Sequence, residues 1–284
     1  MTGVNDAPAL KTADIGCAMG KVGTDVAKEA AEVILTDDNF ASIITAVEEG
    51  RRIYDNILKV IQFLLSSNIG EIVVLFLIIM LASPIANLFG IENINSITPL
   101  LAIHILWINL ATDSLPALAL AVDPAEKNIM NRKPRDNSKG IFSKGMLYRV
   151  VYQGIMIGLI TLIAFVLGLA GTNNLIEAER IKIAQTMAFT VLSLSELVHV
   201  FNIRNNKESI FKTGIFNNKT LILSVLISAS LVLVVLFIPA LREIFSISLL
   251  PKEKIIETIL LILSPLVIVE LLKLFKINTV KNEE

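Results

Sequence analysis

PLLAIHILWINLATDSLPALALA, residues Pro99–Ala121, is a mostly apolar run that carries Asn109, Thr112 and Asp113 in its middle. A helix this long and this apolar has no use in a soluble core. It matches the ~20 residues needed to cross a ~30 Å hydrocarbon layer. The spacing i, i+3, i+4 places the three oxygen-bearing side chains on one face. A carboxylate at the centre of a membrane helix costs roughly 2.5–3.5 kcal/mol on insertion scales. The sequence therefore predicts that Asp113 meets a partner inside the membrane.

Composition agrees. Of 284 residues, 54% are hydrophobic and 18% charged, and the mean hydropathy is +0.70. These values fall in the membrane class. The net charge of −1 gives no global field for nucleic acid. Cys17 is the single cysteine, which excludes a disulfide framework and a cysteine-rich metal site. The opening MTGVNDAPALK lacks the basic-then-apolar order of a signal peptide. No G-x-x-x-x-G-K-[ST] loop and no G-x-G-x-x-G is present, so nucleotide chemistry would have to use another fold or residues outside this chain.

Working outward, residues 1–50 have mixed charge and read as soluble. IGCAMG (Ile15–Gly20) and EVILT (Glu32–Thr36) read as strands, with a helix over GTDVAKEAA between them, capped by Thr24 or Asp25. From about Asn39 a long helix begins. Its second half, Tyr54–Ala82, spans roughly 43 Å at 1.5 Å per residue. Arg51, Arg52, Asp55, Asn56, Lys59 and Gln62 then form a polar stalk outside the lipid. Five more spans follow, at about Thr98–Val122, Met146–Ala170, Ile183–Phe201, Leu221–Ala240 and Ile255–Phe275, with Pro239 and Pro251 bracketing a short connection. The 123–145 loop carries Lys127, Arg132, Lys133, Arg135, Lys139 and Lys144. The 202–219 loop carries Arg204, Lys207, Lys212 and Lys219. The 83–98 loop has no Lys or Arg. The positive-inside rule then places both basic loops and both termini in the cytoplasm. The division is 1–50 as a soluble segment and 51–284 as stalk and membrane domain.

Three spans hold polar groups that lipid would not tolerate. The first has Ser66, Ser67, Asn68 and Glu71, the second Asn109, Thr112 and Asp113, the fourth Ser193, Ser195, Glu196 and His199. Three unpaired carboxylates at mid-membrane would cost on the order of 8–10 kcal/mol. No Lys or Arg sits at matching depth, so a cation from outside is the natural partner. An all-oxygen donor set suits Ca²⁺ over Zn²⁺ or Cu. Pro116 lacks an N–H, which frees the carbonyl of Thr112 as a further ligand. Gly70 lets a neighbouring helix approach.

Plainer roles compete. Ser66, Ser67, Ser193 and Ser195 read as inter-helix glue. His199 reads as a satisfied or interfacial histidine, and His104 as packing. Glu270 with Lys273 reads as an interfacial ion pair, and Cys17 as an inert core residue. The basic loops serve topology first and membrane-lipid contact second.

GVNDAPALK (Gly3–Lys11) resembles the P-type cation-transporting ATPases. The resemblance runs on through ADIGCAMG, GTDVAKEAAEVILTDDNFASI, VEEGRRIYDNI, SSNIGE, LLAIHILWINLATDSLPALALAVDP and NIMNRKPR. It covers residues 2–136 closely and the rest by topology. SSNIGE and NLATDSLPA are similar to the calcium pumps of the sarco/endoplasmic reticulum kind, which also occur in bacteria.

The resemblance implies a mainly α fold. It is a polytopic helix bundle, the last six of ten spans, preceded by part of an α/β haloacid-dehalogenase-like phosphorylation domain. It implies that Asn68, Glu71, Thr112, Asp113 and Glu196 match one calcium site, and Asn109 and Asp113 part of a second. Asn5 and Asp6 match residues beside the aspartyl phosphate and its Mg²⁺. The family motif TGDGVNDAP here reads MTGVNDAP, and DKTGT with its phosphorylated Asp does not occur. The expectation is therefore a chain with no catalytic residue of its own that does not hydrolyse ATP alone. A second chain would supply the ATP-binding and actuator domains and the first four spans. The resemblance also implies a plasma membrane of bacterial type. Two other readings stay open: an ATP-independent, channel-like or cation-binding membrane protein, and a non-functional truncated remnant.

Overall fold

The computed structural model describes residues 2–126, 128–134, 140–142, 144–172, 174–206 and 208–275, without the side chains of Lys144 and Thr213. Lys127, Arg135, Lys139 and Lys207 of the basic loops lie outside the described residues. The chain divides into two compact units, Met1–Asp55 with Ala125–Pro134, and Asn56–Pro124 with Arg135–Glu284.

The first unit is built on a parallel pair, β1 (Cys17–Met19) and β2 (Val33–Leu35), in the register Cys17↔Val33, Ala18↔Ile34, Met19↔Leu35. A parallel pair needs a crossover. Here it is a short helix, α2 (Asp25–Ala30), whose first turn is capped by the Thr24 hydroxyl accepting from Ala27 N at 3.4 Å. The helix α1 (Ala7–Thr12) has Pro8 in its first turn, where a missing N–H costs nothing. The core is small: Leu10, Ala18, Ala27 and Ala30. Asp38, at φ +57, turns the chain after β2 and accepts from Lys21 N at 2.8 Å and Val22 N at 2.9 Å. Its neighbour Asp37 takes a hydrogen bond from Ser42. Within this unit the Arg51 guanidinium donates to Ile129 O at 2.8 Å and Arg132 O at 2.9 Å. Arg132 in turn pairs with Asp55 at 2.7 Å and with Glu126.

The second unit is helical. The long helix α3 (Ala41–Phe89) contributes its later residues to it. The second span is broken into α4 (Ala102–Trp107), a π-helical segment (Ile108–Asp113) and α5 (Ser114–Ala121). Then come α6 (Lys144–Leu169), α7 (Glu177–Ile203), α8 (Ile210–Thr213), α9 (Lys219–Phe237), α10 (Pro239–Ile244) and α11 (Lys252–Leu274). Among the described residues, six helical stretches are long and apolar enough to cross a membrane, so the chain is a mainly α, polytopic helix bundle with little sheet.

Several ends differ from the sequence reading. The first span does not stop at Ala82; α3 runs through Pro84 to Phe89. Pro84 removes one helical bond near the end of α3, while Ile85 and Ala86 beyond it are buried against the core and hold the turn in place. Gly90, at φ +63, then ends the helix, and Ile91 N returns to Ala86 O at 2.9 Å. The expected connection between Pro239 and Pro251 contains the helix α10, with Pro239 at its start. Pro is favoured in that position because its φ is already helical.

The spine of the bundle is α7, buried along most of its length between α6 and α11. Helix α6 reaches α3 through glycines. A Cβ on Gly154 would stand 2.9 Å from Ser66 O, and one on Gly158 would stand 2.8 Å from Gly70 O. Gly154 and Gly158 form the small-x-x-x-small spacing that lets membrane helices touch backbone to backbone.

A buried polar cluster joins the middle of α3 to the ends of α5 and α7 and the start of α9. Asp123, just after α5, is 2.9 Å from Lys59 Nζ and 3.0 Å from Arg204 Nε. Asn218 Nδ2 also donates to it, at 2.9 Å. Asn56 Nδ2 donates to the Asp123 carbonyl at 2.8 Å. Arg204 also reaches Gly214 O and Ile215 O. Two cations thus share one carboxylate, and its oxygens take donors from α3, from the end of α7 and from the cap of α9. Buried ions persist only when paired and hydrogen-bonded in this way.

Candidate ion-binding site

The segment that decides the site is the π-helix. An i→i+5 ladder is rare, occurs in single turns and accompanies functional positions. Here it covers Asn109, Thr112 and Asp113, the three residues that the spacing singles out. Its local cause is Pro116, which offers no N–H to the turn before it. Ser114 Oγ donates to Asn109 O at 3.1 Å, a side-chain bond across five residues. The Ala111 carbonyl takes its donor from another helix, Ser228 Oγ of α9, at 3.0 Å. A free Thr112 carbonyl was the expectation from a regular helix. The carbonyl that bonds off its own helix is that of Ala111, one residue earlier, because a π turn reaches five residues forward and not four.

The predicted ligands form two groups. In the first, Asn109 Nδ2 donates to Glu71 Oε1 at 3.0 Å and Oε2 at 3.1 Å, and also to Ile105 O at 3.0 Å. In the second, Ser67 Oγ donates to Asp113 Oδ2 at 2.8 Å. The Glu196 side chain comes from α7 to the same place and interacts with Asp113, Ser67 and Glu71. Asp113 Oδ1 and both Glu196 oxygens are buried with no hydrogen-bond partner. The carboxylates are 6% exposed at Glu71, 1% at Asp113 and 0% at Glu196. Among the described residues no Lys or Arg forms an ion pair with any of them. Buried carboxylate oxygens with neither donor nor countercharge are the feature a cation would satisfy.

The other two predicted ligands bond within their own helices. Thr112 Oγ1 donates to Ile108 O at 2.6 Å, and Asn68 Nδ2 to Leu64 O at 2.8 Å. Both hydroxyl and amide oxygens remain available as acceptors. Among the described residues, no group of three or more His, Cys, Asp or Glu stands close enough to hold a metal by itself.

Ser67 was read as glue, and it bonds a predicted ligand directly. Ser66, Ser193 and Ser195 bond backward within their helices. His199, read as satisfied or interfacial, is 0% exposed with Nε2 unpartnered, because α7 is enclosed on all sides. His104 packs on Phe189 and also binds backbone: Leu101 N donates to its Nδ1 at 3.2 Å, and Nε2 lies 2.7 Å from Phe245 O. Lys273 is 2.9 Å from Glu270 and is itself buried.

Asn5 and Asp6 lie in a short 3-10 turn, Val4–Asp6, in the first unit. Asn5 is exposed and Asp6 half-buried. Asp6 Oδ2 accepts from Gly3 N at 2.9 Å and Thr2 N at 3.0 Å, and these bonds hold its carboxyl below the usual range.

The family model described as "Cation transporting ATPase, C-terminus" matches residues 97–275. A calcium-transporting ATPase 1 of Bacillus cereus is 49% identical over 97% of this chain and 31% of its own length. A calcium-transporting ATPase of Bacillus subtilis is 46% identical over 86% of this chain and 25% of its own length. An endoplasmic reticulum calcium ATPase of Aspergillus fumigatus is 37% identical over 86% of this chain and 26% of its own length. The chain thus spans a third or less of the relatives it matches. Six helices fit to cross a membrane and a family model that covers most of the chain make this an integral, multi-pass membrane protein that belongs to the cation-transporting ATPase C-terminus family.

Proposed function

We propose that this chain is the ion-site-bearing C-terminal part of an ATP-driven pump that moves Ca²⁺ across a membrane. One observation carries the reading. Asp113 Oδ1 and both oxygens of Glu196 are buried without a partner beside a π-helical turn. Asn109 and Thr112, on the same span as Asp113, and Asn68 and Glu71, on the first span, offer further oxygens. Ca²⁺ takes six to eight oxygen ligands in flexible geometry, which fits such a set. The names of the relatives, calcium-transporting ATPases, support the same ion. On binding, Asn109 would turn its amide oxygen to the cation and release Glu71, so the pair Asn109–Glu71 holds both ligands ready in place.

The remaining parts of the reading follow the family. Both basic loops and both termini face the cytoplasm, and the membrane is a bacterial plasma membrane. The nucleotide-binding and actuator parts and the phosphorylated Asp come from sequence beyond these residues, on the same or a second chain. Asn5 and Asp6 stand beside the aspartyl phosphate, where Mg²⁺ supplies charge neutralisation. The exposure of Asn5 and the oxygen chemistry of Asp6 are compatible with that place.

The test is equilibrium binding of ⁴⁵Ca²⁺ to the chain in lipid nanodiscs, with Mn²⁺ as competitor. The reading predicts saturable binding that Asp113→Asn weakens at least tenfold. Calcium release from liposomes that hold this chain alone, without ATP, would overturn it in favour of a channel-like protein.

A further inference from the structure

We infer that Ser228 is a positioning residue of the ion site, acting through the Ala111 carbonyl to hold the π-helical turn in which Asn109, Thr112 and Asp113 sit. This rests on the proposed function for the meaning of the site, but its geometry stands apart from it.

Three serines lie on α9. Ser224 donates to Leu221 O at 2.8 Å and Ser230 to Leu226 O at 2.7 Å. Both bond within their own helix, as serines in helices commonly do. Ser228, equally able to do so, sends its hydroxyl to Ala111 O on another helix at 3.0 Å, and it is 0% exposed. Among the described serine and threonine hydroxyls of the spans, Ser67 and Ser228 cross to a neighbouring helix. They land two residues apart, on Asp113 and on Ala111.

The reason lies in the backbone. Passing from an i→i+5 to an i→i+4 ladder leaves carbonyls short of donors, and Pro116 removes one donor more. Pro116 is five residues after Ala111, the position a π turn would use. A buried carbonyl without a donor is unfavourable. Ser228 supplies the missing donor from outside, while Ser114 Oγ on Asn109 O supports the other end of the same turn. Without Ser228 the turn would relax toward the ordinary ladder. Asp113 would then rotate about the helix axis relative to Asn109, separating the ligands of the two groups.

The experiment uses the whole chain in lipid nanodiscs and two readouts, ⁴⁵Ca²⁺ affinity and the thermal unfolding midpoint. Ser228→Ala is expected to weaken calcium affinity about tenfold with the number of sites unchanged. Ser228→Thr, which keeps the hydroxyl, is expected to stay within about twofold. Pro116→Ala restores an N–H to the turn, so the loss of midpoint caused by Ser228→Ala should shrink by at least half in that background. Unchanged affinity in Ser228→Ala, or midpoint losses that simply add, overturns the inference. If the wild-type chain binds no calcium, the proposed function fails, and the midpoint cycle still decides whether Ser228 holds the turn.

Discussion

Asn109 Nδ2 on the π-helical turn donates to both carboxylate oxygens of Glu71 on α3, at 3.0 and 3.1 Å. A hydrogen bond to a charged group contributes about 1.5–3 kcal/mol. The contact therefore sets where Glu71 rests before an ion arrives. Asn109→Ala should weaken ⁴⁵Ca²⁺ binding by roughly 10–100-fold. An affinity within twofold of wild type would remove Asn109 from the site.

The Asp123 cluster gives a stability prediction. Removing the one carboxylate between Lys59 and Arg204 leaves two buried cations unpaired. Breaking a buried pair in this way costs about 3–5 kcal/mol. Asp123→Ala should lower the denaturant midpoint of the chain in mixed micelles accordingly. Lys59→Met should cost clearly less in an Asp123→Ala background than in wild type, since its partner is already gone. Equal costs in both backgrounds would show that the cluster does not act as a unit.

Glycine substitutions separate packing from propensity. A Cβ on Gly158 would stand 2.7 Å from Val73 Cγ1 and 2.8 Å from Gly70 O, whereas one on Gly50 would meet nothing within 4 Å. Gly158→Ala must push α6 away from α3 and should destabilise by about 1–3 kcal/mol. Gly50→Ala adds a helix former at an open position of α3 and should stabilise by up to about 1 kcal/mol. Unfolding of the two variants in parallel checks the contrast, and a neutral Gly158→Ala would refute the close approach.

How much of this was legible in the sequence varied with the physics. The spans were readable because length and hydropathy suffice to cross lipid, and Thr24 capped its helix because capping is local. The candidate acidic and amide residues stand out because a carboxylate at membrane depth is conspicuous. The π turn was not, because it depends on a donor 117 residues away, Ser228, as much as on Pro116. The spacing of Asn109, Thr112 and Asp113 was judged on a regular helix, and the Thr112 hydroxyl donates to Ile108 O of its own span. Asp123 is inconspicuous in the sequence because it follows a span and precedes a proline, like any loop residue; its partners come from distant segments. The Gly154–Gly158 spacing is itself a sequence signal of close helix approach, beside which the sequence expectations name Gly70 alone.

The first unit carries an acid-sensitive contact. The N–H groups of Lys21, foremost, and Val22 bond the Asp38 carboxylate and hold it below the usual carboxylate range. A carboxyl depressed on folding contributes stability above its unfolded value and loses it as pH falls through the folded one. The contact should be intact at neutral pH and fail only below about pH 3.9. Amide resonances of Lys21 and Val22 followed through an acid titration should move together with a midpoint under that value. Asp38→Asn should abolish the movement, and a midpoint above about 3.9 would contradict the assignment.

The most direct test of the central claim is calcium-dependent phosphorylation by ATP in a complete pump that carries this chain as its C-terminal part. Glu71→Gln and Asp113→Asn remove one charge each from the buried carboxylates at near-constant shape. The account predicts that phosphorylation loses its calcium dependence in both variants. Wild-type calcium dependence in both would contradict it.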